Sequence, residues 1–287
     1  MKKYIKLMRV HHYIKNILIL LPLIFSGQLF ATDLVLKTVL GFFSFSLLSS
    51  VVYIVNDTKD AKSDRLHSTK KNRPIASGQV KIHSAVILAC VLFIISIAVN
   101  YFAAGLDIKI SLYLILYFVL NLFYSLGLKN IPILDIAILV SGFLLRLLYG
   151  AAITDIEISK WLYLTVIAIS FYMGLGKRRN EQKQQTGSSR KVLKQYTQSF
   201  LDKNMYMCLA LAIVFYSLWS VDPITIARID NTNLVWTVPI VILICMKYSM
   251  NIEGDSDGDP VEVILKDKML LALCVVFALV FLGIFYL

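Results

Sequence analysis

The chain has 287 residues, of which 58% are hydrophobic and 16% charged, with a mean hydropathy of +0.72 and a formal charge of +11. Soluble domains carry about 45–50% apolar residues, so a water-soluble globule is excluded and the bilayer is the expected solvent. Cys90, Cys208, Cys245 and Cys274 stand singly in apolar runs, without a CxxC pair or a nearby histidine; this excludes a zinc framework and leaves them as packing residues.

From the N-terminus, a basic stretch beginning Lys2-Lys3 leads directly into a full-length apolar run with no small-residue cleavage site, so no removable signal peptide is expected. Crossing about 30 Å of hydrocarbon takes roughly 17–25 residues. Runs of this kind recur at Tyr13–Ala31, Leu34–Val55, His83–Ala104, Ile110–Leu126, Ile131–Gly150, Trp161–Gly176, Met205–Ser220, Leu234–Tyr248 and Met269–Leu287. Each is too long for a barrel strand and must satisfy its backbone internally. The expectation is an all-α, polytopic membrane protein of about nine transmembrane helices, forming a single domain over residues 1–287.

Basic residues gather in alternate loops. Lys2, Lys3, Lys6, Arg9 and Lys15 precede or open the first run; Lys59, Lys62, Arg65, Lys70, Lys71, Arg73 and Lys81 fill the second loop. Lys129 lies in the fourth, and Lys177, Arg178, Arg179, Lys183, Arg190, Lys191, Lys194 and Lys203 in and beside the sixth, whereas the opposite side has only Lys37, Lys109, Lys160 and Arg228. Because cytoplasmic loops collect Lys and Arg, the N-terminus is expected inside and the C-terminus outside the cytoplasmic (inner) membrane. The positive charge is therefore assigned to topology and anionic lipid, and nucleic acid is not an expected partner. The sequence leaves the oligomeric state open, and a homo-oligomer is compatible with it.

Chemistry concentrates where the second run ends, in Asn56-Asp57-Thr58-Lys59-Asp60-Ala61-Lys62-Ser63-Asp64-Arg65. At about 100° per residue, Asn56, Asp57, Asp60 and Asp64 share one helical face. Crowded carboxylates at a membrane boundary repel and are costly; Mg²⁺, which takes one or two carboxylates, waters and phosphate oxygens, resolves both problems. Helix-end ion pairs with Lys59, Lys62 and Arg65 are the alternative.

Then come His67, Lys70, Lys71 and Arg73-Pro74-Ile75-Ala76-Ser77-Gly78, a basic loop suited to a polyanion. Tyr124-Ser125-Leu126-Gly127-Leu128-Lys129 precedes Asp135 in the fifth run. Asp135 and Arg146 are nearly aligned on a helix but three turns apart, so each is a separate intramembrane site candidate. The sixth run ends in Gly174-Leu175-Gly176-Lys177-Arg178-Arg179-Asn180-Glu181, where the glycines permit close approach and Glu181 adds an indirect metal contact. Asp255, Asp257 and Asp259 alternate as in a calcium loop, but Pro260 and Lys266 stand where such a loop needs Gly and Glu.

Taken together, these motifs resemble the UbiA superfamily of intramembrane prenyltransferases, and within it the decaprenyl-phosphate phosphoribosyltransferases more closely. The likeness runs through Lys15-Asn16, Asn56-Asp57, Asp60, Asp64-Arg65, the Arg73–Gly78 segment and Tyr124 to Lys129 and Asp135. It continues through Gly142-Phe143, Arg146, Gly150, Gly176–Arg179 with Glu181, Lys247-Tyr248, and Gly258 with Pro260-Val261-Glu262 to Asp267. It departs at Arg9-Val10 and Tyr13, where the family favours Arg-Pro and a Trp. Lys177, Arg178 and Arg179 stand where aromatic-acceptor relatives carry a second acidic cluster, which points to an extra phosphate.

The resemblance implies a UbiA-like helical bundle, with Mg²⁺ as cofactor at a site facing the cytoplasm. Its substrates would be 5-phosphoribosyl 1-diphosphate and a decaprenyl-phosphate-like polyprenyl phosphate, the phosphoribosyl group passing to the lipid with release of pyrophosphate. Asp57, Asp60 and Asp64 would hold the metal with Asn56; Asp135 would orient the ribose hydroxyls or share the metal. Arg65 and Arg73 would assist the diphosphate, Lys177 and Arg178 would hold the 5-phosphate, and Lys15, Lys129 or Arg146 would receive the lipid phosphate. Asn16, Lys71, Tyr124, Glu181 and Glu262 complete the implied substrate-binding set. Two other readings are prenyl transfer from a prenyl diphosphate to an aromatic or other small acceptor, and a transporter. A transporter would place its ion site at the midplane between inverted repeats, whereas the charged residues here cluster at one boundary.

Overall fold

The computed structural model describes residues 2–67, 69–183, 191–254, 256 and 258–286; Arg190, Asp255, Asp257 and Leu287 lie outside these. Among the described residues the regular structure is entirely helical. In chain order the α-helices are α1 (Lys2–Met8), α2 (Leu21–Ile24), α3 (Thr32–Asp64), α4 (Ile82–Ala104), α5 (Ile108–Leu126) and α6 (Leu134–Thr154). They continue with α7 (Lys160–Lys183), α8 (Gln198–Ser220), α9 (Pro223–Ile229), α10 (Val238–Glu253), α11 (Pro260–Lys266) and α12 (Lys268–Tyr286), and a 3₁₀ segment, Val10–Leu20, links α1 to α2.

The apolar runs coincide with helical segments, except that the first, Tyr13–Ala31, is helical only to Ile24 and turns from Phe25 to Ala31, and the count of spans changes. Seven described helical segments are long and apolar enough to cross a membrane, and α1 with Val10–Ile24 makes an eighth if this pair, bent by 43°, is one span. The expected sixth span, Trp161–Gly176, is the one that drops out: it lies in α7, whose apolar part is short and whose end is the basic Lys177-Arg178-Arg179. The count of about nine is therefore corrected to seven or eight by length and composition. At the second run the apolar stretch stops near Val55 while α3 continues unbroken to Asp64. That extension carries the acidic face.

The chain divides into two compact units. The first comprises the N-terminal segment and Gln28–Ile156; the second comprises Phe25–Gly27, the segment beginning at Glu157, and Leu193–Leu287. In the first unit Ile19, Phe45, Tyr117, Leu145, Tyr149 and Ile153 form one buried cluster. A second joins Leu7 of α1 to Ile54 and Ala61 of α3 and to Ile75 and Val80 of the following loop. With no water to drive burial inside a bilayer, small and polar side chains bind the helices. Ser44 and Ser96 exchange hydroxyl-to-carbonyl hydrogen bonds of 2.9 and 2.8 Å between α3 and α4. In the second unit Phe25, Trp219, Phe281 and Phe285 form a ring cluster on α8 and α12.

Close backbone approach explains one glycine. A Cβ at Gly150 of α6 would stand 2.1 Å from the carbonyl oxygen of Ile19 and 2.8 Å from its carbon. Backbone cannot swing aside as a flexible side chain can. Gly150→Ala is therefore expected to destabilise the chain by about 1–3 kcal/mol or more, measured as a lower melting temperature of the purified protein. An unchanged melting temperature would contradict this packing.

Candidate active site

The second half of α3 turns its acids onto one face, and each carboxylate meets a cation from elsewhere in the first unit. Asp57, 2% exposed, accepts from Arg9 Nη2 at 2.6 Å and from Arg73 Nη1 at 3.2 Å, both on the same oxygen, Oδ1. Arg73 Nη1 also donates to Asp64 Oδ2 at 2.7 Å. Lys129 Nζ reaches both oxygens of Asp60 at 2.6 and 2.7 Å. Ser125 donates to Asn56 Oδ1 at 3.3 Å, linking the end of α5 to this face.

The loop after α3 is folded to present Arg73. Its backbone is extended, Ser77 N–H returns to Arg73 O at 2.9 Å, and Val80 N–H returns to Pro74 O at 2.9 Å. Gly78 takes φ +77°, which glycine adopts without penalty. Ile75 and Val80 anchor the turn in the core, and Lys3 and Lys6 of α1 donate to the carbonyls of Gln79 and Asn72. Arg65 points away from the acids and donates to Ala76 O at 3.3 Å. Lys71 is exposed, while Lys15 and Tyr124 are half-buried. Asp135 is fully buried in the first turn of α6, two residues after Ile133, whose φ of +67° is unusual for a β-branched residue.

A second polar cluster lies deeper in the same unit. Arg146, 5% exposed, donates from Nε to Asn16 Oδ1 at 2.6 Å, from Nη1 to Gly142 O at 2.6 Å and from Nη2 to Tyr117 OH at 3.1 Å. Its guanidinium lies over the Phe45, Tyr117 and Phe143 rings at 5.1, 4.8 and 5.8 Å. Asn16 in turn donates to Ser46 at 2.8 Å. No carboxylate pairs with Arg146 among the described residues. At about 1.5 Å per residue, Arg146 is some 16 Å along α6 from Asp135.

In the second unit the end of α7 forms its own charged group. Arg178 is fully buried and donates to Glu181 Oε2 at 2.6 Å, and Arg179 pairs with Asp202. Lys177, with 30% of its side chain exposed, stands 3.8 Å from Asp259. The loop before α11 packs against this end, where a Cβ at Gly258 (φ +74°) would lie 2.8 Å from Lys177 Cα; Asn180 Nδ2 donates to Ser256 Oγ at 2.8 Å. Glu262 pairs with Lys266 one turn on. Lys247 Nζ, 2.9 Å from Asp267, and then the Leu270 amide hold the Asp267 carboxyl below the usual carboxylate range.

The sequence matches the UbiA prenyltransferase family over residues 18–266. The chain belongs to that family. Among curated relatives, the decaprenyl-phosphate phosphoribosyltransferase of Mycolicibacterium smegmatis is 33% identical over 93% of this chain and 87% of its own length. The decaprenyl-phosphate phosphoribosyltransferase of Corynebacterium glutamicum is 32% identical over 96% of this chain and 85% of its own. A UbiA homolog from Archaeoglobus fulgidus, solved bound to DMAPP and Mg²⁺, shares the fold with a TM-score of 0.71 at 18% identity, covering 98% of this chain and 97% of that one.

In this UbiA-family chain the structure brings together Asn56, Asp57, Asp60, Asp64, Arg73 and Lys129, and adds Arg9 and Ser125, which the sequence reading left outside the site. Arg9 looks like one more positive-inside charge; only its 2.6 Å contact with Asp57 distinguishes it. Asn16 and Arg146 join each other, not the acidic face. The four side chains Asn56, Asp57, Asp60 and Asp64 offer the hard oxygen donors a magnesium ion takes. Among the described residues no three carboxylate, imidazole or thiolate groups enclose an ion by themselves.

Proposed function

We propose that this chain transfers the 5-phosphoribosyl group of 5-phosphoribosyl 1-diphosphate to a polyprenyl phosphate such as decaprenyl phosphate, releasing pyrophosphate. The observation that carries the reading is likeness to decaprenyl-phosphate phosphoribosyltransferases over nearly the whole chain, at 32–33% identity. The charged face at the end of α3 supplies a place for the diphosphate. The basic loops support a cytoplasm-facing site with the N-terminus inside.

An oxygen of the lipid phosphate forms the new bond to ribose C1 as the bond from C1 to the diphosphate oxygen breaks, its electron pair leaving with pyrophosphate. A phosphate monoester is already anionic at neutral pH, so no strong general base is required. The chain must instead stabilise negative charge on the leaving group. Mg²⁺, where bound, supplies Lewis-acid neutralisation of that charge. Asn56, Asp57, Asp60 and Asp64 hold the ion, and Arg73 binds the diphosphate oxygens. Lys129 and Lys15 are proposed for the lipid phosphate, Asp135 for the ribose hydroxyls, and Lys177 for the 5-phosphate, with Arg178 and Glu181 fixing the end of α7. The polyprenyl tail stays against the bilayer, where lipid solvates it.

Purified protein incubated with labelled 5-phosphoribosyl 1-diphosphate, Mg²⁺ and polyprenyl phosphates of several lengths is expected to yield phosphoribosylated lipid and pyrophosphate. Excess chelator is expected to stop the reaction. Failure to consume this donor with any lipid, together with prenyl transfer from a prenyl diphosphate to an aromatic acceptor, would overturn the reading.

A further inference from the structure

Each carboxylate of the acidic face is paired with a cation. Asp57 and Asp64 share Arg9 and Arg73, and Asp60 has Lys129. Among these residues the face is charge-balanced. A divalent cation approaching it alone meets no net attraction and must push cations off the carboxylates it needs. A diphosphate arriving with the cation changes the balance, because its oxygens offer the displaced guanidinium groups a matching anionic partner.

The two arginines on Asp57 stand on different backbone. Arg73 is extended, in a turn closed by Ser77 N–H onto its own carbonyl and followed by buried Pro74 and Ile75. Arg9 instead occupies the 43° break between α1 and the 3₁₀ segment, with φ 53° and ψ 48°. This left-handed conformation is unfavourable for an L-residue with a side chain. The 3₁₀ segment that follows runs for 11 residues, far longer than such helices usually do, which is a mark of a hinge or of strain. The Arg9 guanidinium lies 4.9 Å over the Tyr53 ring and its side chain is 19% exposed, whereas Asp57 is sealed beneath it.

Resting on the metal–diphosphate reading above, we propose that Arg9 is an exchangeable counter-ion: it pairs with Asp57 and passes to the donor's diphosphate as the cation takes the carboxylate. Metal and diphosphate then bind together and poorly apart. Arg9 contacts the substrate only in the loaded state.

The test uses the full chain in detergent, with Mn²⁺ as a probe read by electron paramagnetic resonance and inorganic diphosphate as the anion, so no turnover is needed. Wild type is expected to bind Mn²⁺ at least about 10-fold more tightly with diphosphate than without it. Arg9→Gln is expected to change the two affinities in opposite directions. Mn²⁺ alone binds more tightly because Asp57 loses one of its two counter-ions and keeps only Arg73, while the gain from diphosphate falls by about 10-fold or more, the usual effect of losing a hydrogen bond between charged groups. A purely structural Arg9 would weaken both, and that result, or no change in either, overturns the proposal. If Arg9→Gln does not fold, Arg9→Lys carries the test. It keeps the charge but loses the fork, so a reduced gain with unchanged Mn²⁺ affinity alone supports the proposal, and an unchanged gain overturns it. Wild type that binds no Mn²⁺ even with diphosphate defeats the metal–diphosphate reading itself; coupled binding left intact in the variants defeats only the role of Arg9.

Discussion

Asp57→Asn, Asp60→Asn and Asp64→Asn are each expected to lower kcat by about 10²–10³-fold, the usual loss when one group stabilising transition-state charge is removed. Asparagine preserves side-chain volume and removes the charge that makes the face a metal site. The three variants should differ in stability, because their cations are stranded to different degrees. Lys129, 12% exposed, pairs with Asp60; Arg9, 19% exposed, pairs with Asp57; and Arg73, 24% exposed, bridges Asp57 and Asp64 and keeps one carboxylate when the other is removed. Leaving a buried charge without its partner is strongly destabilising, and a solvated one much less so. The largest drop in melting temperature is therefore expected for Asp60→Asn and the smallest for Asp64→Asn, with turnover low in all three. Turnover at the wild-type level in all three variants, measured on correctly inserted protein, would refute the metal assignment.

The ease of reading this chain follows the range over which its interactions act. Apolar runs are local, and each of the nine corresponds to a helical segment, the first only as far as Ile24. Their ends were harder to place, because hydrophobicity stops at the membrane boundary while backbone hydrogen bonding does not: α3 runs nine residues past Val55 and α7 runs past Gly176 into Lys183. The alignment of Asn56, Asp57, Asp60 and Asp64 is also local and follows from helical spacing alone. Two of their three partners are not local. Among the described residues the nearby Lys59, Lys62 and Arg65 make no ion pair with them; Arg73 of the following loop reaches Asp64 and Asp57, but the other cations come from Arg9, 48 residues before Asp57, and Lys129, 69 residues after Asp60. In the sequence Arg9 is an ordinary cytoplasmic-side charge, and Lys129 is a candidate for the lipid phosphate with nothing to tie it to Asp60. Packing of α1 and the end of α5 against α3 converts them into parts of the site.

Arg146→Ala is expected to cost about 3–5 kcal/mol of stability, as removal of a large, hydrogen-bonded buried side chain does. The sequence presents Arg146 as an intramembrane charge awaiting a ligand, but in the structure its three donors are engaged by Asn16, Gly142 and Tyr117 and its faces are covered by rings. Those partners belong to the Val10–Leu20 segment, α6 and α5, so the guanidinium ties together the elements that carry Lys15 and Asp135 and the helix that ends three residues before Lys129. Its depth, about 16 Å along α6 from Asp135, favours this clamping role over contact with a head group. Arg146→Met separates the two roles. It retains much of the volume but takes away the donor to Asn16 Oδ1, at about 1–3 kcal/mol for a buried group left unsatisfied, while Gly142 O keeps its helical backbone partner. A clamp therefore predicts a lower melting temperature for Arg146→Met and nearly normal turnover per folded molecule at low temperature. A 10²-fold loss of turnover with unchanged melting would instead place Arg146 on the substrate.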